Sequence, residues 1–183
     1  MTKIKICGIT RQEDADLAIA LGADYLGFIF VKESPRCVEH APRTSGVKRV
    51  GVFRNATIEE VHRIVEREQL DVAQLHGDET YRMSIPTIKA FNVKDALPDT
   101  ETQADFILFD TGGGTGRTFD WSLLANYKST KPFFLAGGIT PDNVADAIAR
   151  THPYAIDVAS GVERSPGIKD HDKLRTLFER IRR

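Results

Sequence analysis

Two reactive groups stand about a hundred residues apart at matching places in this sequence. Cys7 lies near the end of the β-branched run 3–9, just ahead of a helix-start signal, and Asp110 follows the apolar run 106–109, just ahead of the glycine tract 112–116. In a closed parallel barrel the C-terminal ends of the strands converge on one mouth. There a thiolate and a carboxyl group could face one substrate, as a general base and a general acid. A free thiol has a pKa near ~8.5 and must lose its proton to act. Lys5 lies two positions before Cys7, on the same strand face, and its ammonium would favour the thiolate. Lys89 is a candidate second cation of the interior. Burial at the end of its apolar run would raise the pKa of Asp110 and help it hold a proton to give.

Further residues could hold an anionic substrate. Arg36, after Ser34-Pro35, carries a guanidinium fork suited to a carboxylate. Gly137-Gly138 and Ser160-Gly161 follow the last two strand candidates, where barrels commonly bind phosphate through exposed backbone N–H groups and a short helix N-terminus. His76, beside Gly77-Asp78, also falls at a strand end, and Asp157 is a candidate partner for interior lysines. Each has an ordinary alternative. Cys7 reads equally as a buried small hydrophobe, Asp110 as a solvated carboxylate, Arg36 as a surface arginine and His76 as a satisfied core histidine. His40, His62, His152 and His171 read as surface residues. The glycine tract lacks the lysine of a P-loop, and Arg117 stands where a Rossmann glycine would be. It reads as a loop that closes over the mouth, with plain turn chemistry as the alternative.

The elements that would position these residues are eight short apolar runs at 3–9, 25–30, 48–53, 71–76, 87–93, 106–110, 133–137 and 155–160. Alternating with helical segments, they indicate an α/β protein with a parallel sheet, and eight is the number that closes a (β/α)8 TIM barrel. An open doubly wound sheet is the alternative. Thr10 with Glu13 and Thr57 with Glu60 read as capping boxes, Gly22 as a C′ glycine, and Thr140-Pro141 as an N-cap with proline at the first helical position. Leu174, Leu177, Phe178 and Ile181 repeat at helical spacing. The crossovers 31–47, 78–86 and 94–105 are short or broken by proline, where a parallel crossover usually needs about a dozen residues or more. The barrel's second, fourth and fifth helices are therefore expected to be shortened or replaced by loops. Long side chains and loops would then shield the outer strand faces, or an apolar patch would remain there as a surface for self-association.

With 183 residues the chain is read as one domain spanning 1–183. A formal charge of −1 gives no electrostatic case for nucleic acid or a membrane surface. There is no apolar run of membrane-spanning length, and Lys3 and Lys5 interrupt any signal-peptide core. Two cysteines make no disulfide framework, no spacing suggests a zinc site, and the expected compartment is the cytoplasm.

The ordered segments KICGITRQEDA, GADYLGFIF, SPR, VGVF, QLHGDE, IKAF, FDTGGGTGRTFDW, LAGGITPDNV and DVASGVERSPGIKD, running from residue 3 to about 172, resemble the motifs of the phosphoribosylanthranilate isomerases. The departures are the trimmed crossovers and Cys37, where that family more often has a bulky residue. The resemblance implies a (β/α)8 barrel and a cofactor-free, metal-free Amadori rearrangement in tryptophan biosynthesis. The substrate would be N-(5-phosphoribosyl)anthranilate and the product 1-(2-carboxyphenylamino)-1-deoxyribulose 5-phosphate. It further implies Cys7 as general base, Asp110 as general acid and Arg36 on the anthranilate carboxylate, with a small phosphorylated substrate as partner; the flank of trimmed crossovers leaves a monomer or weak homodimer as the expectation. Three other functions compete. The analogous isomerase of histidine biosynthesis has an aspartate at the end of its first strand, against which Cys7 argues. The others are a metal-dependent hydrolase using Cys7, His76 and Asp110, and a barrel that binds phosphorylated ligands without turnover.

Overall fold

All eight apolar runs are strands of one closed parallel barrel, in which each strand pairs with its sequence neighbour and the last pairs with the first. The computed structural model describes residues 1–112 and 118–182. The strands are β1 (Lys3–Cys7), β2 (Tyr25–Ile29), β3 (Lys48–Phe53), β4 (Val72–Leu75), β5 (Thr87–Asn92), β6 (Phe106–Asp110), β7 (Phe133–Leu135) and β8 (Ala155–Val158). Four α-helices flank them: α1 (Gln12–Ala20), α2 (Ile58–Glu68), α3 (Val144–Thr151) and α4 (His171–Arg182). A hairpin of Glu163–Ser165 with Ile168–Lys169 precedes α4. No described helix is long and apolar enough to cross a membrane.

Strand alternation divides the apolar residues into two cores. Tyr25, Val50, Val72, Ile88, Leu108 and Phe134 fill the barrel, whereas Ile6, Phe28, Phe53, Leu75, Ile107 and Ile156 form its mantle with the helices. Along the inward rows the chemistry changes towards the C-terminal ends. Val72 gives way to Gln74 and His76, Leu108 to Asp110, and Ala155 to Asp157. The apolar end is a plug and the polar end a site.

The three crossovers expected to be short contain no helix. The connection after β6 is reduced as well, its described part holding only the 3-10 segment Trp121–Asn126, a trimming that its length did not announce. After β2 a single side chain does part of a helix's work. Arg49 lays its guanidinium over the Phe28 ring at 4.9 Å and donates to Pro42 O at 2.9 Å and Thr44 Oγ1 at 2.6 Å. Met1 is the only exposed large apolar residue among those described, and the large apolar residues of the trimmed flank are buried or half-buried. Of the two outcomes expected there, shielding by long side chains and loops is the one found.

The helix signals fared unevenly. Thr57 and Glu60 form the full capping box of α2, and Gly22, at φ +91°, follows the last turn of α1. Thr10 does not cap α1: its hydroxyl donates instead to Gly167 O, and Arg11 stands at the N-cap without a side-chain capping bond. Thr140 caps an entry turn through a bond from Asp142 N–H at 3.3 Å, and the regular part of α3 begins only at Val144.

Candidate active site

The C-terminal mouth of the barrel holds a cavity of about 970 Å³. Cys7, Asp110, Arg36, His76, Gly137, Gly138, Ser160 and Gly161 all line it. Six different connections and strand ends thus deliver these residues to one space. Of the glycine tract 112–116, read as a closing loop, residues 113–116 lie outside the described residues.

Cys7 is buried, and its neighbour across the β1–β2 ladder is Gly27. A Cβ at Gly27 would stand 2.7 Å from Cys7 Sγ, so only glycine leaves room for the thiol. Burial pushes the thiol pKa above its ordinary value, and Lys5, Lys169 and the Gly8 N–H pull the other way without reversing it.

Beneath it, the fully buried Lys5 donates to Gln74 Oε1 at 2.6 Å and to Asp157 Oδ2 at 2.7 Å. Burial opposes this charge, but Asp157 and Cys7 outweigh it and hold the ammonium above the ordinary lysine pKa. Lys89 is different. It alternates with the inward Ile88 and Ala90, so it points out of the barrel and ties Gly77 O and Glu79 O. The expected second interior cation is instead Lys169, whose Nζ reaches Cys7 O at 2.6 Å and Glu163 Oε1 at 2.9 Å.

Asp110 accepts the Thr111 N–H at 2.7 Å through Oδ1, and its Oδ2 lies 3.7 Å from His76 Nε2. The chain passes close by at Gly137, where φ is +80° and a Cβ would come within 3.0 Å of Asp110 Oδ1. His76 Nδ1 meets Gln74 Nε2 at 3.2 Å. Burial holds the imidazole pKa below its ordinary value, against the pull of Asp110.

Arg36 is held by Glu163, with Nε 2.9 Å from Oε1 and Nη2 2.7 Å from Oε2. That edge of the fork is engaged, and among the described residues Nη1 has no hydrogen-bond partner. The loop of Gly137 and Gly138 is pinned by Asn143, whose side chain donates to Gly138 O and accepts from Thr140 N, both at 2.9 Å. Gly161 packs on the Ile139 carbonyl, where a Cβ would overlap it, so Gly137-Gly138 and Ser160-Gly161 form one continuous wall. The segment after β8 is a single 3-10 turn, Ser160–Val162, rather than an α-helix.

Residues not anticipated from sequence also belong here. Gln74 was within reach, since it shares a strand face with His76. Glu163 and Lys169 carried no local signal, because their partners lie on other elements. Among the described residues no group of three His, Cys, Asp or Glu side chains is arranged to hold a metal ion.

Residues 4–180 match the family model described as N-(5'phosphoribosyl)anthranilate (PRA) isomerase. The chain is 47% identical over 199 residues to the N-(5'-phosphoribosyl)anthranilate isomerase of Pseudomonas fluorescens (strain Pf0-1), covering 97% of each chain. Among solved structures, phosphoribosyl anthranilate isomerase from Thermus thermophilus is similar at a TM-score of 0.88 and 40% identity, over 99% of this chain and 98% of that one. A phosphoribosyl anthranilate isomerase in complex with reduced 1-(o-carboxyphenylamino)-1-deoxyribulose 5-phosphate is similar at a TM-score of 0.83 and 36% identity, over 100% of this chain and 99% of that one.

Proposed function

The chain belongs to the N-(5'-phosphoribosyl)anthranilate isomerase family, and from that premise we propose which of its residues carry the reaction. It is an isomerase of tryptophan biosynthesis that converts N-(5-phosphoribosyl)anthranilate to 1-(2-carboxyphenylamino)-1-deoxyribulose 5-phosphate. The rearrangement is redox-neutral, so what it asks of the protein is an acid, a base and a grip on two anionic groups.

In our reading Asp110 is the acid. It protonates the ribose ring oxygen, the C1′–O bond breaks, and the anilino nitrogen lone pair forms the Schiff base. Cys7, as thiolate, then takes the C2′ proton, and the electron pair of that bond neutralises the iminium to give an enolamine. Tautomerisation yields the ketone. Arg36 binds the anthranilate carboxylate through the guanidinium edge that Glu163 leaves open. The wall of Gly137, Gly138, Ser160 and Gly161 binds the phosphate, and His76 lines the same cavity beside Asp110. The observation that carries this reading is the convergence of Cys7, Asp110, Arg36, Gly137-Gly138 and Ser160-Gly161 on one cavity.

The same reading makes the chain a single cytoplasmic catalytic domain over residues 1–183, a monomer or at most a weak homodimer. The test is turnover with substrate generated in place from anthranilate. Expected is an enzyme-dependent loss of anthranilate-type fluorescence as the ketose forms. Persistent fluorescence with the folded protein present would overturn it and leave a barrel that binds without turning over.

A further inference from the structure

We infer that Gln74 is a positioning residue that fixes His76 as its neutral Nε2–H tautomer, so that the imidazole offers Asp110 a donor rather than a lone pair. The inference follows from donor and acceptor types read outward from the barrel floor. Lys5 has three N–H donors and no acceptor. It lies 2.6 Å from one terminal atom of Gln74, and that atom must therefore be the carbonyl oxygen. The amide cannot flip without setting NH2 against NH3⁺. Its nitrogen then faces His76 Nδ1 at 3.2 Å as a donor. A ring nitrogen that receives a donor must keep its lone pair, so the proton of the neutral imidazole resides on Nε2. That nitrogen points towards Asp110 Oδ2, 3.7 Å away across the cavity wall.

The consequence concerns the acid. After Asp110 gives up its proton, its carboxylate faces an N–H dipole, and the charge it has acquired is stabilised. With the opposite tautomer a lone pair would face it, and proton donation would be opposed. The inference thus deepens the reading of Asp110 as general acid, and rests on that reading for its effect on rate. The charged groups acting on the ring are Asp110 from β6, Lys5 from β1, Asp157 from β8 and Arg54 beyond β3. Burial and the two cations oppose a second ring proton, which agrees with a neutral ring.

The test is nitrogen NMR of the imidazole rings in the ligand-free protein, with His76 assigned by loss of its signals in His76→Asn. The expected wild-type pattern is a neutral Nε2–H ring that takes its second proton only below the ordinary histidine range. Gln74→Glu is nearly isosteric and keeps an oxygen for Lys5, but it offers Nδ1 an acceptor. The proton should then appear on Nδ1, with kcat down by about tenfold or more and KM little changed. Gln74→Met, which removes both contacts, should leave the tautomers of the ring mixed while burial still holds its second protonation below the ordinary value. A wild-type Nδ1–H ring, or ordinary wild-type titration, overturns the inference whatever the variants do. So does retention of Nε2–H in Gln74→Glu. A purely structural role would lower the melting temperature without moving the tautomer. Because the spectra need no substrate, failure of this inference is separable from failure of the proposed reaction.

Discussion

Glu163 grips Arg36 along one edge of the guanidinium, with Nε and Nη2 each on a carboxylate oxygen at 2.9 Å and 2.7 Å. Glu163 is in turn held by Lys169, which also donates to the backbone of Cys7. The cation proposed to read the substrate carboxylate is thus braced against the strand that carries the proposed base. Two parallel N–H donors remain on the guanidinium's far side for a second carboxylate, an arrangement that an ammonium cannot reproduce.

Arg36→Met should therefore weaken binding of the anthranilate moiety by on the order of 1.5–3 kcal/mol, the range for hydrogen bonds to charged groups. Arg36→Lys should lose nearly as much, because a point charge cannot be gripped on one edge and present the other. Both losses should shrink for an analogue without the carboxylate. Equal losses of affinity for the two ligands, measured by titration, would remove Arg36 from the role.

Cys7→Ala and Asp110→Asn should each nearly abolish turnover while leaving substrate binding largely intact. Both groups act on protons in flight rather than on the ground state, and such groups are typically worth ~100- to 10,000-fold each. Steady-state kinetics beside equilibrium binding checks this. A near-wild-type kcat in either variant would reassign that residue.

How far the sequence carried this site depends on how local each cause is. The barrel was legible because alternation is a property of single strands, and the Thr57 capping box because both partners lie within one turn. Thr10 shows where that logic ends. Its hydroxyl has a capping partner nearby in sequence and a better one at Gly167, 157 residues away. Lys89 was misplaced because β5 is apolar on both of its faces, so only pairing of Lys89 with the outward Leu75 decides which way it points. Glu163 and Lys169 look like surface charges in a hairpin and become buried only when the barrel closes over them.

The Cys7 thiol should titrate above the ordinary value of about 8.5, since burial raises its pKa and the nearby cations only moderate the rise. The sign follows from the charged form being the thiolate: a raised pKa means that each pH unit below it leaves about tenfold less base. Thiolate absorbance in the ultraviolet, taken as the difference from Cys7→Ala to subtract the exposed Cys37, should therefore rise only at alkaline pH. A midpoint below about 8 would show that Lys5 and Lys169 outweigh burial after all.

Arg49 should matter more to stability than a partly exposed strand arginine usually does, because no helix covers the strand beside it. Its guanidinium lies over Phe28 and ties Pro42, Thr44 and Glu68 at distances of 2.6–3.2 Å. Phe28 is fully buried beneath this cover. Arg49→Ala removes several charge-assisted bonds at once and opens the mantle, for a loss on the order of 2–4 kcal/mol. In a chain of this size that corresponds to a fall of roughly 5–15 °C in melting temperature. Arg49→Met keeps the apolar stem over the ring but none of the bonds, so it should fall between the two. Thermal unfolding of the three proteins decides the matter: an Arg49→Ala melting temperature within a degree or so of wild type would show that the 31–47 loop covers the strand without it.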